Sequence, residues 1–106
     1  MGLNITARKF SLTESLQSAA YEAYNRLSRY SHLIIDTHLI LERDKPLNFV
    51  ELTVSVKKGF LRADTRTNDI YQGIHEVFNK VEKQLKKHYE KLRERKRLSH
   101  KTKRQI

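Results

Sequence analysis

The chain has 106 residues, 38% of them hydrophobic, with a formal net charge of +10, no cysteine, three glycines and one proline. That length holds one modest core and excludes two, while the lack of cysteine excludes a disulfide framework and thiolate metal sites and points to a reducing compartment. The opening MGLNITARKF has no signal-peptide apolar run, and no stretch approaches the roughly 18 apolar residues of a membrane span, so the reading is a soluble cytoplasmic protein.

The first expected element is a strand, because Leu3, Ile5 and Ala7 alternate with Asn4 and Thr6. Ser11 and Glu14 offer a capping box for a helix, and Thr13 is an equally good N-cap. Leu16, Ala20, Ala23, Leu27 and Tyr30 then recur every three or four residues, which gives that helix one apolar face and an end near Ser31. From Leu33 the period becomes two. Leu33, Ile35, Thr37, Leu39 and Leu41 are expected inward, and Ile34, Asp36, His38, Ile40 and Glu42 outward.

The segment from Asp44 to Asn48 reads as a turn, and Val50, Leu52, Val54 and Val56 as the inner face of a further strand. Lys57, Lys58 and Gly59 suit a tight hairpin, with Gly59 expected to supply any positive φ. A last strand, Phe60 to Arg66, points Leu61, Ala63 and Thr65 inward. Connections this short force an antiparallel meander. Asn68 or Asp69 can cap a final helix, Gln72 completing a box with Asp69. Its apolar stripe is Ile70, Ile74, Val77, Phe78, Val81, Leu85 and Leu92, and it is expected to fray near Leu98. The fold class is therefore α+β, ordered β-α-β-β-β-α, a four-stranded sheet with two helices on one face. Residues 1–98 form the domain and 99–106 a basic, disordered tail.

The charge is segregated. Residues 79–106 hold twelve Lys or Arg against three Glu, so this stretch carries +9 of the +10. Two pairs, Glu76 with Lys80 and Glu82 with Lys86, have the favourable spacing for ion pairs of a solvated helix. Lys83, Lys87, Lys91 and Arg95, however, stand four apart and set cation beside cation, at a cost of about 0.2–0.5 kcal/mol per step. An external polyanion converts that repulsion into attraction. A membrane would need large apolar residues on the opposite face, which this helix uses for its own core, so nucleic acid fits better. Tyr71, Tyr89 and His88 lie on or beside the helix as possible RNA contacts. Arg8, Lys9, Arg62 and Arg66 are candidates to extend the basic surface.

The five histidines show no HExxH spacing, and no phosphate-cradling or nucleophile-elbow motif is present. Asp36 and His38 on one strand face imitate an acid–base couple, although alternation on an open sheet face accounts for them. The expectation is a protein with no cofactor, no metal and no enzymatic activity.

With that element order and basic helix, the chain resembles the hibernation promoting factor family, also called ribosome-associated inhibitor A or protein Y. The resemblance runs from Leu3-Asn-Ile-Thr6 to about Leu92, through Thr13-Glu-Ser-Leu16, Asp69-Ile-Tyr71 with Ile74, and Gln84-Leu85-Lys-Lys87-His88 with Lys91-Leu92. It implies a fold similar to double-stranded RNA-binding domains. It also implies binding to the small ribosomal subunit, between head and body where messenger and transfer RNA lie, by a stress and stationary-phase factor that silences and preserves idle ribosomes. The family's basic helix positions correspond to Lys80, Lys83, Lys87 and Lys91, with His88 beside them and Arg95 lengthening the row. The full RNA-binding expectation is Lys80, Lys83, Lys86, Lys87, His88, Lys91, Arg95, Arg8 and Lys9, on a chain that is monomeric off the ribosome. Long members carry a second domain that pairs two ribosomes; the sequence given, whose last residues after Leu92 are a basic segment, fits either a short-form member or a fragment of a long one. The alternative is a free-standing double-stranded RNA-binding module. A protein-interaction adaptor using Glu51, Arg62 and Asp64 on the outer sheet face is a third class.

Overall fold

The computed structural model describes the backbone of residues 2–105 and the side chains of residues 2–94. Four strands, β1 (Leu3–Arg8), β2 (Ile34–Asp44), β3 (Leu47–Val56) and β4 (Gly59–Thr67), form one sheet in the order β1-β2-β3-β4. The β2-β3-β4 meander is antiparallel, as the short connections require. β1 lies parallel to β2, a pairing that needs a long crossover. α1 (Glu14–Asn25) and the 3-10 segment Arg26–Leu33 supply it. α2 (Ile70–Gln105) lies beside α1 on the same sheet face. No helix among the described residues is long and apolar enough to cross a membrane.

The layers close because alternation and helical period meet on one side. Leu39, Leu41, Val50, Leu52 and Val54 from the sheet are fully buried against Leu16, Ala20, Ala23 and Leu27 from the crossover and Ile74, Val77, Phe78, Val81 and Leu85 from α2. Each large side chain so buried contributes about 1.5–3 kcal/mol of transfer free energy. Thr37 is the one buried polar residue among those described, and its hydroxyl stands beside that of Tyr24. Burial first, then the Asp36 carboxylate, raises the Tyr24 phenol above its ordinary range.

Both helix starts follow side-chain chemistry. Thr13, rather than Ser11, caps α1, its hydroxyl accepting from the Leu16 amide at 3.2 Å. Asp69 caps α2, accepting from the Tyr71 and Gln72 amides at 3.1 and 3.4 Å. These bonds satisfy amides that a helix leaves without internal partners.

The structure corrects the sequence reading at five points. The first helix tightens into the 3-10 segment after Asn25 instead of continuing to Ser31. The register of β2 shifts between Ile34 and Asp36, so Ile34 is buried and Ile35 is 63% exposed, the reverse of strict alternation. Such an irregularity resets the face of every residue before it. At the β3–β4 hairpin the positive φ belongs to Lys58 (69°), and Gly59 instead opens β4 opposite Val56. Leu92, expected in the core stripe, is 37% exposed. The reason is length: the 36 residues of α2 span roughly 54 Å at 1.5 Å each, whereas the nine of β4 cover only about 30 Å. Finally, the backbone of α2 continues past Leu98 to Gln105. No Gly or Pro follows Gly73 to end it, and Lys, Arg, Gln and Leu all favour helix. The expectation of a mobile tail at 99–106 concerns residues whose side chains lie outside those described.

Gly73 sets how closely α2 approaches the sheet. A Cβ there would lie 2.7 Å from Thr67 Cγ2 and 2.9 Å from Val50 Cγ2, both on β-branched side chains with little freedom to withdraw. Gly73→Ala is expected to lower stability by about 1–2 kcal/mol, the overpacking penalty outweighing alanine's helix advantage of about 1 kcal/mol. Urea unfolding reads this directly, and a variant more stable than the parent would show that the helix has room to lift.

Candidate nucleic-acid interface

α2 carries two basic faces that its own geometry separates. At roughly 100° per residue, Lys83, Lys87 and Lys91 occupy the side turned away from Ile74, Val81 and Leu85, while Lys86, Tyr89 and Arg93 fall within about 60° of one another on a neighbouring side. Lys83, Lys86, Lys87 and Lys91 are exposed, and none has an ion-pair partner among the described residues. The Glu82–Lys86 pairing suggested by spacing is therefore not made there, although Glu76–Lys80 is, at 3.4 Å. Lys80 also reaches the Asp64 carbonyl at 3.5 Å, and Gln84 donates to the Arg62 carbonyl at 3.1 Å, tying α2 to the rim of β4. Thr65 completes the seam by donating to Glu76 at 3.0 Å. Lys80 thus stands at the margin of the ridge, in a shallow groove it shares with Arg62 and Lys83.

Other predicted residues are dispersed. His88 is half-buried and lies toward the core side of α2, about 60° round the helix from Lys91, at the margin of the ridge. The Arg95 side chain lies outside the described residues. Arg8 projects from β1 on the open face of the sheet, in register with Glu42. Lys9, just past the strand, is paired with Asp44 at 3.3 Å. Neither joins the α2 ridge.

The open sheet face is internally compensated. Asp36 accepts from Asn4 Nδ2 at 3.3 Å and His38 Nε2 bonds Thr6 Oγ1 at 2.8 Å, so the two residues make cross-strand pairs with β1 rather than a couple with each other. Arg62 is held 3.0 Å from Glu51 and 4.0 Å from Asp64, and the Arg66 guanidinium lies 5.1 Å from the Phe49 ring centre. Charge of both signs is paired on this face, whereas Lys83, Lys87 and Lys91 of α2 make no ion pair among the described residues, although Glu90 and Glu94 lie on the same side of the helix.

The structure adds basic residues that no sequence pattern singled out. Arg26, at the end of α1, donates to Asn79 Oδ1 at 2.8 Å and bonds His75 Nδ1 at 3.1 Å, which fixes a guanidinium across the helix pair. Arg29 and His32 come from the 3-10 segment to meet Lys86 and Arg93 of α2. The sequence Arg26-Leu-Ser-Arg29-Tyr-Ser-His32 is visibly basic, but its partners are about 50–60 residues away, and only the helix packing brings them together.

The fold and the site together define a small α+β domain that presents one long helix edged with uncompensated cations. The chain belongs to the Sigma 54 modulation protein / S30EA ribosomal protein family, whose pattern matches residues 3–93. It is 29% identical over 94 residues to a ribosome hibernation promoting factor of Escherichia coli (strain K12), covering 89% of this chain and 99% of that one. It is 30% identical over 87 residues to ribosome-associated factor Y of Haemophilus influenzae, covering 82% of this chain and 81% of the relative. Among solved structures, a ribosomal subunit interface protein from Coxiella burnetii superposes with a TM-score of 0.77 at 20% identity, covering 84% of this chain and 98% of the other. The Thermus thermophilus Protein Y N-terminal domain gives 0.74 at 19%, covering 83% and 99%. At those identities the solved structures establish the shared fold.

Proposed function

We propose that this chain is a ribosome hibernation factor that lodges in the messenger and transfer RNA channel of the small ribosomal subunit, in the cytoplasm, and silences idle ribosomes by occupying it. The observation that carries the reading is the Lys83-Lys87-Lys91 ridge, a row of cations that costs the isolated helix stability and has no acidic partner among the described residues. Its chemistry suits phosphates, which position a protein on RNA without specifying sequence; the shape of the ribosomal cleft supplies the selectivity. Family membership and the names of the relatives support a ribosomal partner.

The body that presents the ridge is rigid in the sense that matters for occlusion. Its helix is seated on the sheet by a continuous buried stripe from Ile70 to Leu85, and a domain so packed resists deformation. No cofactor and no covalent step enter this mechanism, which works as a monomer. Lys80 and His88 would flank the contact, and Arg95 would lengthen it. Arg8 and Lys9 would meet a separate segment of the ribosome.

Ribosome binding measured across a salt series tests the electrostatic part. With about five phosphates neutralised, log affinity falls against log salt with a slope of roughly −3.5 to −4.5. A slope near zero would remove the phosphate ridge from the mechanism. Equally tight binding to any long RNA duplex would favour the free-standing double-stranded RNA module instead.

A further inference from the structure

Where the 3-10 segment crosses α2, the surface sinks into a cleft of about 310 Å³. That volume is at the lower end of the roughly 300–1,000 Å³ of small-ligand sites. Its walls are Arg29, Tyr30 and His32 from the segment and Lys86, Tyr89, Glu90 and Arg93 from the helix. The aromatic groups are locked edge to face. Tyr30 and Tyr89 meet at 6.2 Å and 61°, and His32 and Tyr89 at 6.0 Å and 90°. The two guanidinium groups are laid on rings, Arg29 at 5.6 Å from the Tyr30 centre and Arg93 at 5.8 Å from the Tyr89 centre. Three permanent cations thus surround one acid, Glu90, in a recess with planar surfaces.

We propose that this cleft is a nucleotide subsite that takes one unstacked base of a single-stranded RNA segment together with its phosphate. The proposal rests on the RNA-binding reading above and adds what the ridge does not provide. Ridge lysines offer point charges to a backbone, whereas the cleft offers surfaces for a base: the half-buried Tyr89 ring, backed by buried Tyr30, the exposed His32 ring, and the guanidinium plane of Arg93, on which bases stack regardless of identity. Arg29 and Lys86 stand on opposite walls, placed to hold the phosphate of the same nucleotide. A duplex cannot stack a base in such a recess, because the faces of its bases are already covered by one another. An adjoining loop, bulge or strand end can.

The test compares the folded chain's affinity for a single-stranded RNA tetranucleotide with that for a fully abasic chain of equal length and charge. The base-bearing chain is expected to bind about tenfold tighter. Tyr89→Leu should abolish that preference while retaining abasic binding. Tyr89 packs against the core, so Arg93→Gln, at an exposed position, serves as the second variant and should reduce the preference several-fold with unfolding unchanged. Lys83→Glu with Lys87→Glu should weaken both ligands alike. Equal affinity for the two chains, or a preference that survives both cleft variants, would overturn the proposal. If the protein binds ribosomes but shows no preference for bases, the cleft alone is refuted. A base preference without ribosome binding upholds the cleft and refutes the ribosomal reading.

Discussion

Reversing Lys83, Lys87 and Lys91 together to Glu is expected to weaken ribosome binding by about 100-fold at roughly 0.15 M salt. The figure follows from the ionic contribution: each lost phosphate contact removes about 0.7–0.9 from the salt exponent, and three removed contacts at that ionic strength multiply to two orders of magnitude. The slope of log affinity against log salt should fall by about 2–3 in the same experiment. Since all three side chains are exposed and unpaired among the described residues, urea unfolding should leave the variant close to the parent. That separates loss of contact from loss of fold. Binding within about threefold of the parent would make the ridge an ordinary solvated face.

The largest expected effect on stability comes from the other side of the same helix. Phe78 is fully buried between α2 and the sheet, within the cluster that includes Ile74, Leu52 and Leu16. Phe78→Ala should cost about 3–5 kcal/mol, the transfer energy of the ring plus the cavity it leaves. A domain this size has about 5–15 kcal/mol in total, so the variant should unfold at far lower urea or be partly unfolded without it. A loss below about 1 kcal/mol would mean that the helix does not rest on this residue and would undermine the rigid presentation of the ridge.

The two variants show why the fold was largely legible in the sequence. A residue such as Phe78 announces its side by recurring with Ile74, Val81 and Leu85 at helical spacing, and Val50, Leu52 and Val54 do the same at strand spacing. Lys83, Lys87 and Lys91 are legible for the same reason, since one helix fixes their relative directions. The misreadings fall where a local irregularity interrupts the period. The register shift exchanged Ile34 and Ile35, and Lys58 took a left-handed conformation where glycine was expected. Such a φ costs a non-glycine residue about 1–2 kcal/mol, an amount the surrounding hairpin ladder can offset.

The site was legible only as far as a single element extends. Lys80 belongs to the ridge by spacing, yet the approach of β4 draws it toward Asp64 and Glu76. His88 follows Lys87 in sequence but falls toward the core side of the helix. Arg8 and Lys9 lie across the sheet, held near Glu42 and Asp44 by strand pairing that no charge pattern encodes. The cleft between the 3-10 segment and α2 could not have been read at all. Arg29 and Arg93 are neighbours only because Leu27 and Tyr30 pack into the core shared with Leu85.

Sedimentation with small ribosomal subunits, alone and with saturating messenger and transfer RNA, tests the occlusion mechanism most directly. The account predicts that the protein pellets with vacant subunits and is released when those RNAs occupy the channel. A protein that stays bound beside both RNAs, or one that never pellets, would contradict it.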